Sequence, residues 1–252
     1  MLTDQLEWAI GLGLLGAIVG SFAATIVVRW PAGRSVTQGR SRCDHCRKPL
    51  RARELVPVLS ALVQRGRCRW CKARIDPTHR RVELLAIAIG LSAGWIAPGL
   101  TGIAGAVFGW LLLTLAGLDL AAFWLPDALT ATLAAAGIAA ASIGQSPGWG
   151  ERLIGGIAGY GLLRAVGLGY RRWRGRTGMG GGDPKLFGAI GLWLGWRMLP
   201  PVLLAACLIG IGWLLLRRLE GKAVARTDAL PLGALLAAAA YPAWALMVAS
   251  PP

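Results

Sequence analysis

Eight apolar runs, each cut off from the next by helix breakers or charge, constrain this chain more than any other feature. They cover about residues 8–28, 82–97, 100–118, 127–143, 153–170, 185–196, 201–216 and 230–248. Most approach the ~20 residues that a helix needs to cross the hydrocarbon core of a bilayer. Pro98-Gly99 leaves only a tight turn between the second and third runs. With 55% hydrophobic and 15% charged residues, against about 25% charged in an average soluble domain, the chain is too apolar for a water-facing globule or a disordered segment. An all-α polytopic membrane protein of about eight transmembrane helices is expected. The first run has no basic stretch before it and no small-residue cleavage pattern after it, so it reads as a retained helix and not a signal peptide.

The charge is concentrated. Of 27 Lys+Arg in the chain, 15 lie between Arg29 and Arg81, against three acids, Asp44, Glu54 and Asp76. This loop therefore holds 12 of the 15 excess positive charges. A basic block fits nucleic-acid binding, a lipid-facing surface, or a loop that records orientation. If eight helices alternate and this loop is cytoplasmic, the connections on its side are 29–81, 119–126, 171–183 and 217–227, and they contain 23 of the 27 cations. That asymmetry satisfies the positive-inside rule and puts both termini on the opposite face, with Arg152 and Arg197.

Inside the basic loop stand Cys43-Asp44-His45-Cys46 and Cys68-Arg69-Trp70-Cys71. Two Cys-x-x-Cys turns at this separation suit a tetrahedral zinc site, with Cys43, Cys46, Cys68 and Cys71 as ligands. Disulfides are the alternative, but they are uncommon in the reducing compartment that the loop's charge implies. Four thiolates leave no open coordination position, so a structural zinc is expected, one that supplies folding energy to a loop poor in large apolar residues. His45 reads as solvated and Cys207, in an apolar run, as packing. The domain organisation expected is a first transmembrane helix at 1–28, a cytoplasmic basic zinc-knuckle loop at 29–81, and a transmembrane bundle at 82–252.

Acids are scarce near the apolar runs. Asp119 closes the third, and Asp183 opens the sixth in Gly180-Gly181-Gly182-Asp183-Pro184-Lys185. In the topology above both fall at cytoplasmic helix ends, at similar depth. Two carboxylates meeting at a partly dry boundary suit aspartic-protease chemistry, because repulsion and desolvation leave one protonated and the pair can activate a water. A transporter's proton relay competes with that reading, although its acids would lie nearer the midplane. Glycines 180, 181 and 182 would let a substrate strand approach. Asp127, after Pro126, reads as a helix N-cap, and Lys185 as a snorkelling lysine. A third class of function is a membrane-anchored zinc module binding nucleic acid or a secretion or uptake partner.

Several motifs occur in an order that resembles bacterial prepilin peptidases: Gly20-Ser21-Phe22, the cysteine pairs, Asp119 with Leu125-Pro126-Asp127, and Gly178-Met179-Gly180-Gly181-Gly182-Asp183-Pro184-Lys185-Leu186. Pro57, Ser60, Arg65-Gly66-Arg67-Cys68, Glu83, Pro231 and Gly233 fit the same pattern. The Gly-x-Gly-Asp element at 180–183 is shared with a wider class of intramembrane aspartic proteases. The resemblance implies a multi-pass bacterial inner-membrane enzyme that cleaves the basic leader from type IV prepilins or pseudopilins at the cytoplasmic face, serving type IV pili or type II secretion. It further implies N-methylation of the new terminus with S-adenosylmethionine, as in many members. Carried over by motif, Asp119 and Asp183 would be catalytic, Gly180, Gly181, Gly182 and Lys185 would shape the site, and the four cysteines would hold zinc. Many relatives carry Leu-Asn-Val where this chain has Ala23-Ala24-Thr25. Beyond substrate, the partner expected is the lipid bilayer; nucleic acid is not.

Overall fold

A computed structural model describes residues 2–36, 42–43, 45–49, 66–221 and 229–250. Arg40, Asp44, Arg51, Arg53, Glu54, Pro57, Ser60, Arg65, Lys222 and Arg226 lie outside them. Among the described residues the fold is all-helical, with eight α-helices: α1 (Leu2–Arg29), α2 (Pro77–Ile96), α3 (Leu100–Ala122), α4 (Asp127–Ser142), α5 (Trp149–Arg174), α6 (Gly182–Leu194), α7 (Leu199–Leu219) and α8 (Leu232–Ala249). Each of the eight apolar runs becomes one helix. Five helices, α1, α3, α5, α8 and α7 with the 3-10 turn before it, are long and apolar enough to cross a membrane. The other three differ for readable reasons. The first turns of α2 carry His79, Arg80, Arg81 and Glu83. At 16 residues and 13 residues, α4 and α6 rise only about 24 and 20 Å, less than the ~30 Å hydrocarbon core.

The chain divides into two compact units, Met1–Gly117 and Leu118–Pro252. In the first, α1 packs along α2 through small residues. A side chain at Gly16 would strike the Ala86 carbonyl and one at Gly90 the Leu12 carbonyl, so the backbones meet directly, as in membrane helix pairs. Glu83 is buried beside Gly20. Large apolar side chains such as Leu14 and Ile18 face outward, the reverse of a soluble core and the arrangement that a lipid solvent favours. Entry to α2 is set by Asp76, whose Oδ1 accepts from Thr78 N–H at 2.8 Å, followed by Pro77 at the first helical position.

In the second unit α6 packs against α4, α5 and α8. It is buried nearly all round, Leu186, Phe187, Ile190 and Trp193 included, so its short length matches a segment sheathed in protein. Arg152, 2% exposed, ties these elements together. Its guanidinium donates to the carbonyls of Gly137, Gln145, Ser146, Pro147 and Leu192 at 2.7–3.1 Å. Five acceptors are what the planar donor fork needs in order to be buried without a carboxylate partner. Cys207, expected to pack inward, is exposed. The buried edge of α7 runs through Leu199, Val202, Ala206 and Gly210, and one further residue turns Cys207 about 100° away.

Candidate functional site

Two constellations stand out, one in each unit. In the first, the sulfurs of Cys43, Cys46, Cys68 and Cys71 all lie within 4.8 Å of one another, with Cys43–Cys71 at 3.8 Å and Cys46–Cys68 at 4.0 Å. A tetrahedron with metal–sulfur bonds of about 2.3 Å has edges of about 3.8 Å, so the four thiols can hold a metal ion. The two turns repeat each other. Arg47 N–H donates to Cys43 O at 2.9 Å and Lys72 N–H to Cys68 O at 3.0 Å, while Cys43 N–H reaches Lys48 O and Cys68 N–H reaches Ala73 O. Each is closed by an antiparallel bridge, Arg42 with Pro49 and Arg67 with Arg74. Arg47 and Lys72 take left-handed φ values of 57° and 59°, a conformation that glycine adopts more readily. Burial works to raise the Cys68 thiol, but N–H groups of Cys71 and Trp70 and the thiols of Cys43 and Cys71 bring it down to about 7. His45 is exposed.

In the second unit, Asp119 and Asp183 are 5% and 7% exposed, and Leu125 lies against both Gly182, next to Asp183, and Gly233, beside the Asp119 carboxylate. Asp119 sits in the last turn of α3, and its Oδ2 accepts from Ala234 N–H at 2.9 Å, in the first turn of α8. Asp183 sits in the first turn of α6, and its Oδ2 accepts from Gly180 N–H at 3.0 Å. Each carboxylate thus faces the positive end of a helix, which favours negative charge there.

The glycines preceding Asp183 differ in surroundings. The space a side chain would occupy is open at Gly181, whereas at Gly182 it is filled by Leu125. Asp127, expected as an N-cap, is instead the first residue of α4; Pro126 takes the cap position with no side-chain bond. The Asp127 carboxylate pairs with Lys185 at 2.6 Å, so Lys185 has a protein partner. Ala234, Gly233 and Leu125 lie beside the acids or their anchors. Of these only Gly233 and Leu125 had any sequence signal, through the resemblance.

The profile of the bacterial peptidase A24 N-terminal domain matches residues 14–97, which include the four cysteines and Glu83. That of the type IV leader peptidase family matches residues 106–215, which include both buried acids and the Asp127–Lys185 pair. A prepilin leader peptidase/N-methyltransferase of Aeromonas hydrophila is 38% identical over 207 residues, covering 80% of this chain and 70% of the relative. The chain belongs to the type IV leader peptidase family. Proteins with the same description from Burkholderia pseudomallei (strain 1026b) and Klebsiella pneumoniae are also similar. The first is 37% identical over 262 residues, covering 93% of this chain and 83% of its own length, and the second is 35% identical over 206 residues, covering 79% and 90%. No solved structure matches the chain. Family membership makes the protein a protease, and it agrees with the resemblance drawn from motif order.

Proposed function

We propose that the protein is a membrane-embedded aspartic endopeptidase that removes the basic leader from type IV prepilins or pseudopilins, with Asp119 and Asp183 as its catalytic pair. The observation that carries this reading is the pair of buried carboxylates, each at a helix N-terminus and with Leu125 between their anchors, in a chain of this family. Carboxylates that feel each other's charge in a dry setting share one proton. The protonated one donates to the scissile carbonyl oxygen while the ionised one takes a proton from water. The water oxygen adds to the carbonyl carbon, and the tetrahedral intermediate collapses by breaking the C–N bond as a proton passes to the leaving amine. No acyl-enzyme forms. Gly180, Gly181, Gly182 and Lys185 shape the site, and the open space at Gly181 is where substrate backbone can come close.

The chain crosses a bacterial inner membrane eight times in this reading, with the cysteine loop and the acids on the cytoplasmic face and both termini on the other. The distribution of cations supports that orientation. Cys43, Cys46, Cys68 and Cys71 hold a structural zinc, which ties the loop's two turns together. S-adenosylmethionine supplies a methyl group to the newly exposed amine in the second reaction carried by the relatives' description.

The test is to incubate the purified protein with a prepilin, with and without S-adenosylmethionine, and weigh the product. Loss of the leader reports the peptidase, and a further gain of one methyl reports the transferase. Asp119→Asn and Asp183→Asn are each expected to lower cleavage by more than about 10³-fold; folded variants cleaving at the wild-type rate would overturn the assignment.

A further inference from the structure

We propose that Leu125 is a positioning residue, a wedge that sets the gap between the Asp119 and Asp183 carboxylates. This rests on the endopeptidase reading of those two acids and adds a residue that acts through them. The turn that carries it is held at both ends. After α3 ends at Ala122, Phe123 enters the left-handed region at φ 50° and its N–H closes on Asp119 O at 2.8 Å. A bulky side chain rarely adopts that conformation unless its surroundings impose it. At the other end Asp127 is paired with Lys185. Between these points Phe123 and Trp124 stay exposed, whereas Leu125 turns inward to 8% exposure.

There one side chain bears on the anchors of both acids. A Cβ at Gly182, the residue preceding Asp183, would lie 2.7 Å from Leu125 Cβ and 3.2 Å from its Cδ1. A Cβ at Gly233, the residue preceding the amide that binds Asp119, would lie 2.9 Å from Leu125 Cδ1, 3.1 Å from Cδ2 and 3.0 Å from Asp119 Oδ2. The base of the leucine therefore rests on the α6 entry, Cδ2 faces the α8 entry, and Cδ1 faces both. Neither entry can close toward the other while that side chain fills the gap, since packed interiors resist even a methyl-sized change. Two carboxyl groups that must address one water need a fixed separation, and misplacement by about 1 Å can cost ~100-fold in rate.

Leu125→Ala keeps only the Cβ against Gly182 and removes Cγ and both methyls, which span from Gly182 to Gly233. It is expected to lower kcat about 10- to 100-fold with KM within about twofold. Leu125→Met, which can refill the space, is expected to recover kcat to within about fivefold. Leu125→Ile preserves volume but moves a branch to Cβ, against Gly182, and is expected to lower kcat about tenfold. It decides the matter if the alanine variant does not fold. A folded Leu125→Ala or Leu125→Ile enzyme with wild-type kcat overturns the proposal, as does a loss confined to KM, which would make Leu125 a substrate contact. Failure of the underlying reading has a different signature: Asp119→Asn and Asp183→Asn would then cleave normally.

Discussion

Lys185 Nζ lies 2.6 Å from Asp127 Oδ1, joining the first turn of α6 to the first turn of α4 across 58 positions of sequence. The pair flanks the buried acids without sharing their setting. Its side chains are 45% and 75% exposed, so solvent and salt screen the attraction and the pair contributes at most about 1 kcal/mol.

Lys185→Met and Asp127→Asn are accordingly expected to reduce kcat/KM by less than about tenfold, with the difference from wild type shrinking at high salt. Steady-state cleavage of a prepilin at two ionic strengths checks this. A loss approaching that of Asp183→Asn would draw the pair into the chemistry itself.

Arg152 joins α4, α6 and the 145–147 loop through five hydrogen bonds. Arg152→Leu leaves loop carbonyls at Gln145, Ser146 and Pro147 without their donor and removes the guanidinium bridge between Gly137 O of α4 and Leu192 O of α6. It is expected to destabilise the protein by more than about 3 kcal/mol, read as a lower unfolding temperature in detergent. Arg152→Lys has too few donors to reach five carbonyls and is expected to recover less than half of that.

The four cysteines are expected to retain one zinc per chain, and Cys68→Ser to lose it and expose the 66–76 segment to protease. A ligand thiol must be deprotonated to bind. Because Cys68 is held at about 7 instead of the ordinary 9.0, little proton release opposes binding near neutrality, so metal is retained at neutral pH and lost toward acid pH as protons compete for the thiolates. Metal content after dialysis across that range tests the sign.

Asp76 caps α2, and its carboxyl is held below the ordinary carboxylate value by the Thr78 backbone N–H and hydroxyl. A depressed carboxyl contributes its full stability above the unfolded value of about 3.9 and loses it as pH falls toward the folded one. Asp76→Ala is expected to cost about 1 kcal/mol at pH 7 and progressively less as pH falls toward the folded value. Melting curves of the two proteins should converge in acid.

Much of the molecule was legible before its structure. Apolar runs bounded by Pro98-Gly99 and Pro126 became helices because burial or lipid contact must satisfy an apolar run, and because these residues stop a helix locally. The cysteine turns were legible for the same reason, since a Cys-x-x-Cys spacing carries its geometry within four residues. Asp127 and Cys207 show where this fails. The capping preference of Asp127 lost to a lysine 58 residues away, and which side of α7 Cys207 faces depended on α8, against which α7 packs.

The sequence by itself therefore determined the helices, the paired cysteines and the presence of acids at two helix ends, all consequences of periodicity and short-range spacing. Tertiary structure decided what each carboxylate meets. Asp119 takes its hydrogen bond from Ala234, 115 residues on, and Leu125 fits against Gly182 and Gly233. Those partners are chosen by which surfaces pack, and packing depends on the shapes of elements far apart in the chain, which no local pattern encodes.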